Sequence, residues 1–168
     1  MIKFIMIFIM TLNSFIMNNI PRSVDYYFKL LPKNVQEAFY KDDWHYEKVD
    51  YDLGQKFYDG TKVIYGLTDF EVKTIYIDDD LVANKVILHE VGHRFEYEPY
   101  MQGPYCKEFT NLYNDHWTEW YLNYGGHINN YYTQSEAYAQ CYEIYFLRPE
   151  CLDTDTYDFI SQEISKIK

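Results

Sequence analysis

The chain has 168 residues, with 15 Lys and Arg against 26 Asp and Glu. The resulting net charge of -11 and pI near 4.8 set it against nucleic-acid backbones and anionic membrane surfaces as partners. A hydrophobic share of 48% with a mean hydropathy of -0.45 reads as a globular domain, expected to be monomeric, large enough to bury a sizeable core. The 20 Tyr and 11 Phe point first to an aromatic core.

Residues 1–17 read as a leader. Lys3 precedes the apolar run Phe4 to Met10, the shape of a secretory signal peptide. That shape assigns a secreted protein, and translation starting at Met17 is the alternative. The run is too short and interrupted for a membrane span, so no stable membrane association is expected.

After the leader, Pro32 followed by Lys33–Tyr40 predicts a short helix, with Val35, Ala38 and Phe39 on one side. Trp44–Val49, Lys62–Tyr65 and Val72–Ile77 predict strands, with a turn at Asp59-Gly60. Asp78-Asp79-Asp80 stops the third strand and offers an N-cap. Leu81–Phe95 predicts the first long helix. Gly103-Pro104 interrupts the chain before a helix over Tyr105–Trp120, and Gly125-Gly126 opens a loop to Thr133. Ser135–Phe146 and Asp155–Ile167 predict the last two helices, the latter with Phe159, Ile160, Ile164 and Ile167 facing inward. Strands precede helices, so the class is α+β. The cysteines, Cys106, Cys141 and Cys151, are three and lack a C-x-x-C spacing, which indicates neither a disulfide framework nor a thiolate metal site.

The chemistry is concentrated in His89-Glu90-Val91-Gly92-His93. On a helix, residues i and i+4 share a face, so both imidazoles reach one ion. Glu90 flanks the site unligated, placed to act as general base toward an activated water. A catalytic zinc ion takes three protein ligands and keeps one position open. Positions 96 and 99 are Glu96 and Pro99, which closes the glycine-and-histidine continuation of one peptidase group. His45, His116 and His127 have no supporting pattern. Glu136 is the leading third ligand, because Ala137 and Ala139 let its helix approach the motif helix. Gln140, one turn later, is placed to orient a ligand histidine. Glu143 is the runner-up ligand.

The ordered set of segments resembles the lethal-factor-like zinc metallopeptidases, which include the anthrax lethal factor catalytic domain and the clostridial Pro-Pro endopeptidases. The resemblance runs from Leu31-Pro32-Lys33 through Lys73–Ile77 into Leu88–His93. It resumes at Lys107-Glu108-Phe109, Ser135–Ala139 and Thr156–Ile160. It implies a single zincin-like domain over residues 18–168, of gluzincin type, with the motif helix under a small sheet and the glutamate helix crossing behind it. It implies a zinc-dependent endopeptidase acting on a peptide or protein substrate, with His89, His93 and Glu136 as zinc ligands and Glu90 as base. Relatives carry a tyrosine seven residues before the glutamate ligand that steadies the oxyanion; here that position is Asn129. A loop two residues shorter puts Tyr131 in the role, with Tyr132 beside it. Relatives often have an acid where this chain has Gln140, which implies weaker polarisation of a ligand histidine. The strand edge around Thr74–Ile77 is expected to pair with an extended substrate. The rival readings are a zinc-containing binding module without catalysis and a metal-dependent amidase acting on a non-protein substrate.

Overall fold

The computed structural model describes residues 22–60, 63–80, 83–124 and 133–168. The leader, Tyr131 and Tyr132 lie outside the described residues. The elements in chain order are α1 (Val24–Phe28), α2 (Lys33–Lys41), β1 (His45–Val49), α3 (Leu53–Tyr58), β2 (Gly66–Asp69) and β3 (Thr74–Asp78). A 3-10 turn (Ala83–Val86) leads into α4 (Ile87–Glu96), followed by α5 (Lys107–Tyr124) and α6 (Gln134–Leu147). A second 3-10 turn (Pro149–Cys151) precedes α7 (Thr154–Lys166). The class is α+β, mostly helical with one small mixed sheet.

The sheet has the order β1-β3-β2, with β1 parallel and β2 antiparallel to β3. This corrects two expectations. The strand expected at Lys62–Tyr65 instead begins at Gly66, because pairing rather than side-chain type sets its limits: Gly66 stands opposite Ile77 and Asp69 opposite Thr74. The connecting turn fixes that register. Asp69 Oδ1 accepts from the N–H groups of Glu71 (2.9 Å) and Val72 (3.3 Å), and Lys73 adopts a φ of 53°. The second correction concerns Thr74–Ile77. It belongs to the central strand, both of whose edges are occupied, so the free edge beside the motif helix is that of β2.

The long helix expected over Leu81–Phe95 is resolved, from Ala83 onward, into the 3-10 turn and α4. Tight turns of this kind are frequent at helix N-termini. Here the Asn84 Nδ2 donates to the Arg22 carbonyl at 2.7 Å and anchors the turn beneath α1. The short helices α1 and α3 carry too few residues for periodicity to announce them. Their caps are local: Ser23 accepts from the Tyr26 N–H, and Asp52 from the Gln55 N–H.

Helix α4 is the centre of the molecule. Ile87, Leu88, Val91 and Phe95 are fully buried, and the helix is covered by the sheet and α1 on one side and α6 on the other. On the far side of α6, Tyr138 packs edge-on to Phe109 of α5 at 5.1 Å, and Phe109 meets Phe159 of α7 at 5.4 Å. Arg94, buried on α4, pairs with Asp42 after α2 and with Glu98, and its guanidinium lies 5.0 Å over the Trp44 ring. The cysteines are free thiols, with Cys141 and Cys151 buried.

The contact between α4 and α6 depends on one glycine. A Cβ at Gly92 would lie 2.9 Å from the Ala139 Cα, 3.1 Å from the Tyr142 Cβ and 3.3 Å from the Ala139 Cβ. The neighbour is backbone and cannot swing aside. Helix propensity alone favours Gly92→Ala by about 1 kcal/mol. Overpacking of a filled core costs about 1–3 kcal/mol. Gly92→Ala is therefore expected to lower the midpoint of thermal or urea unfolding, and an increase would show that the helices separate freely.

Candidate metal centre

The register of α4 places His89 and His93 one turn apart, their rings 4.8 Å apart and nearly perpendicular. Because α6 passes close at Gly92, its first turn lies opposite these rings. Thr133 N-caps α6 and accepts from the Glu136 N–H at 3.2 Å. The Thr-x-x-Glu spacing matches a capping box, in which the glutamate would fold back onto the cap. Here the Glu136 carboxylate turns to the histidines instead. Its Oε2 lies 3.3 Å from the His89 Nε2 and its Oε1 3.7 Å from the His93 Nε2.

These separations have a chemical meaning. With metal–ligand bonds of about 2.0–2.1 Å, donor atoms around a tetrahedral zinc ion stand about 3.3–3.4 Å apart. The three donors, one from each residue, all lie within 4.8 Å of one another. They can therefore hold a metal ion after only small shifts. Two imidazoles and a carboxylate suit a divalent first-row ion and leave a position for solvent or substrate.

The electrostatics favour a cation. Burial opposes charge on His93, yet the Glu136 and Glu96 carboxylates, with Glu90 nearby, outweigh it and push the imidazole up to about 10. Hydrogen bonds from His89 and His93 hold the half-exposed Glu136 carboxyl well below the usual carboxylate range.

Glu96 is a functional residue that the sequence reading passed over. It is buried, one turn after His93, with its Oε1 3.4 Å from the His93 Nδ1. The Ser135 Oγ lies 3.4 Å from the same nitrogen, and a proton held on Nδ1 by these groups would leave Nε2 for a metal. The Ser135 hydroxyl lies 2.9 and 2.8 Å from the two Glu96 oxygens, tying the ligand-bearing end of α6 to α4. The i, i+3 spacing from His93 was the available signal. Gln140, expected to orient a histidine, lines the cleft. The groups beside the His93 Nδ1 are the Glu96 carboxylate and the Ser135 hydroxyl, both at 3.4 Å.

Glu90 is 6% exposed and reaches the same cleft from the α4 side facing β2. Thr68 Oγ1 lies 2.7 Å from its Oε2. Glu143, the runner-up ligand, points elsewhere: its Oε1 accepts from the Tyr124 hydroxyl at 2.5 Å and stands 3.2 Å from the Lys85 Nζ. Two turns of α6 separate it from the front of the site. His45 contacts Thr74 Oγ1 at 3.0 Å on the sheet, and His116 lies 4.0 Å from Glu119, so neither joins the cluster. His127, Tyr131 and Tyr132 lie outside the described residues.

The site opens into a cleft of about 520 Å³, lined on the sheet side by Tyr65, Leu67 and Phe70 and at the helix end by Tyr97. No described helix is long and apolar enough to cross a membrane. Comparison with protein-family models, with curated proteins and with solved structures finds no match to this chain.

The site makes ranked predictions for metal content, measured by elemental analysis and by competition with a chromogenic chelator. His93→Ala and Glu136→Ala are expected to lose stoichiometric zinc. Glu96→Gln is expected to keep it with an affinity about 10–100-fold weaker. Glu143→Gln is expected to bind as the unmodified protein does, and loss of zinc there would reopen the choice of third ligand.

Proposed function

We propose that the chain is a zinc-dependent endopeptidase with a zincin-like fold of the lethal-factor type. The observation that carries this reading is the conjunction in one cleft of three donors within 4.8 Å of one another and a fourth group, Glu90, outside that set. A purely structural metal site needs no such carboxylate, and closed structural sites use four protein ligands. This favours an enzyme over a binding module.

His89, His93 and Glu136 would hold the ion. Zinc in such a site polarises the scissile carbonyl and lowers the pKa of water. Glu90 accepts the proton of the attacking water as its oxygen bonds to the carbonyl carbon, then delivers that proton to the amine as the C–N bond breaks. Glu96 keeps His93 in the tautomer that presents Nε2. Tyr131, or Tyr132 beside it, is the proposed donor to the oxyanion.

The substrate class follows from the walls. Among the described residues β2 is an edge strand, and such an edge suits an extended chain by strand addition. The described cleft-lining residues combine apolar and aromatic side chains with Glu90, Glu96 and Glu136 and include neither Lys nor Arg. Such a surface accepts neutral, apolar or basic segments and repels acidic ones. An open cleft flanked by a strand edge favours a peptide over a small amide.

The test pairs Glu90→Gln with the unmodified protein on a peptide library, both loaded with zinc. The variant is expected to retain one zinc per chain and lose at least about 100-fold in kcat/KM. Chelation is expected to abolish cleavage and added zinc to restore it. Zinc binding without cleavage by either protein would sink the peptidase reading.

A further inference from the structure

Strand β2 does more than border the cleft. Residues two apart on a strand share a face, and Gly66 and Thr68 both turn toward Glu90 of α4. Each meets a different part of that side chain. At Gly66 a Cβ would lie 2.8 Å from the Glu90 Oε1, 2.9 Å from its Cγ and 2.6 Å from the Val86 Cγ1. The carboxylate therefore occupies the space that any larger residue at position 66 would fill. At Thr68 the hydroxyl lies 2.7 Å from the Glu90 Oε2 and 3.0 Å from the Glu90 carbonyl oxygen. Both partners are acceptors and the hydroxyl has one proton, so it donates. The shorter contact falls at the distance of a charge-assisted O–H···O⁻ bond.

We propose that Thr68 is a positioning residue for catalysis: its hydroxyl fixes Glu90 Oε2 and leaves Oε1, over Gly66, as the oxygen that exchanges the proton. This rests on the reading of Glu90 as general base. The last torsion of a glutamate is broad and twofold, so an unrestrained carboxylate presents either oxygen over a wide range of angles. A single donated hydrogen bond removes that freedom. Thr68 keeps its own proton throughout. The proton taken from water moves onto Oε1 and then to the leaving amine, and the water oxygen ends in the new carboxyl group. Because Thr68 lies on the free edge strand, the same four residues that align the substrate backbone also aim the base.

Thr68→Val keeps shape and strand preference while deleting the hydroxyl, and Thr68→Ser keeps the hydroxyl. The experiment measures zinc content, kcat and KM for these two variants, for Glu90→Gln and for the unmodified protein. Urea unfolding of metal-free Thr68→Val, Glu90→Gln and the double variant adds a readout independent of turnover. Thr68→Val is expected to retain zinc and KM within about twofold and to lose about 10–100-fold in kcat. Thr68→Ser is expected to recover to within about threefold, and the two single changes in unfolding are expected to be non-additive.

An unchanged kcat in Thr68→Val beside an inactive Glu90→Gln would overturn the positioning role and leave the base in place. A Thr68→Ser variant as impaired as Thr68→Val would assign the effect to packing and overturn it as well. Additive unfolding changes would show that the contact is not made. A Glu90→Gln variant as active as the unmodified protein would remove the base assignment and this inference with it.

Discussion

The candidate site depends on the bare contact between Gly92 of α4 and Ala139 of α6. Packed helices ordinarily keep their axes about 8–10 Å apart, a distance set by the side chains between them. Histidine and glutamate side chains are short, and bonds to a metal are near 2 Å. A site drawn from two helices therefore closes only where the helices come together. Here the missing side chain at Gly92 and the small one at Ala139 allow that approach within a turn of His93 and Glu136. The rest follows geometrically. Once α6 lies against α4, its capped first turn faces the two imidazoles, and Glu136 gives up its capping-box role because a better partner is within reach.

The same closeness creates an electrostatic problem that the surrounding residues manage. Glu90 and Glu96 are buried on one helix, in a chain of net charge -11, and Glu136 faces them from another. Buried carboxylates are costly unless hydrogen-bonded or paired. Each has a separate remedy: Thr68 for Glu90, Ser135 and His93 for Glu96, and both histidines for Glu136. Arg94, one residue past the second ligand, is held by Asp42 and Glu98 rather than by the site carboxylates. A divalent cation held by His89, His93 and Glu136 would add positive charge among these carboxylates.

The sequence made the candidate metal ligands legible for a reason peculiar to helices. A fixed period of 3.6 residues converts spacing directly into geometry, so His89 and His93 could be placed on one face before any tertiary contact was known. Glu136 was legible by a weaker route, through the small residues beside it. What stayed hidden was everything set by contact between elements. Thr68 and Gly66 are ordinary in sequence and matter only because β2 crosses the outer face of α4. Glu143 carries the same chemistry as Glu136 and sits on the same helix, yet Lys85 and Tyr124 draw it away. Strand limits failed similarly. Val63, Ile64 and Tyr65 have stronger strand preference than Gly66 or Asp69, but pairing with β3 selects the latter.

The displacement of that strand changes how the site is understood. With the free edge assigned to Thr74–Ile77, substrate alignment and catalysis would reside in separate parts of the molecule, joined only through the core. With β2 as the edge, Leu67 and Thr68 stand at the cleft while the strand's inner face grips Glu90 and its other edge is bonded to β3. A peptide adding to β2 would be registered against the strand that contacts Glu90, and Glu90 lies next in sequence to His89. Strand additions are tolerant of side chains and strict about register. The arrangement therefore links backbone register to the position of the reacting carbonyl, while leaving side-chain preference to the aromatic walls at Tyr65, Phe70 and Tyr97.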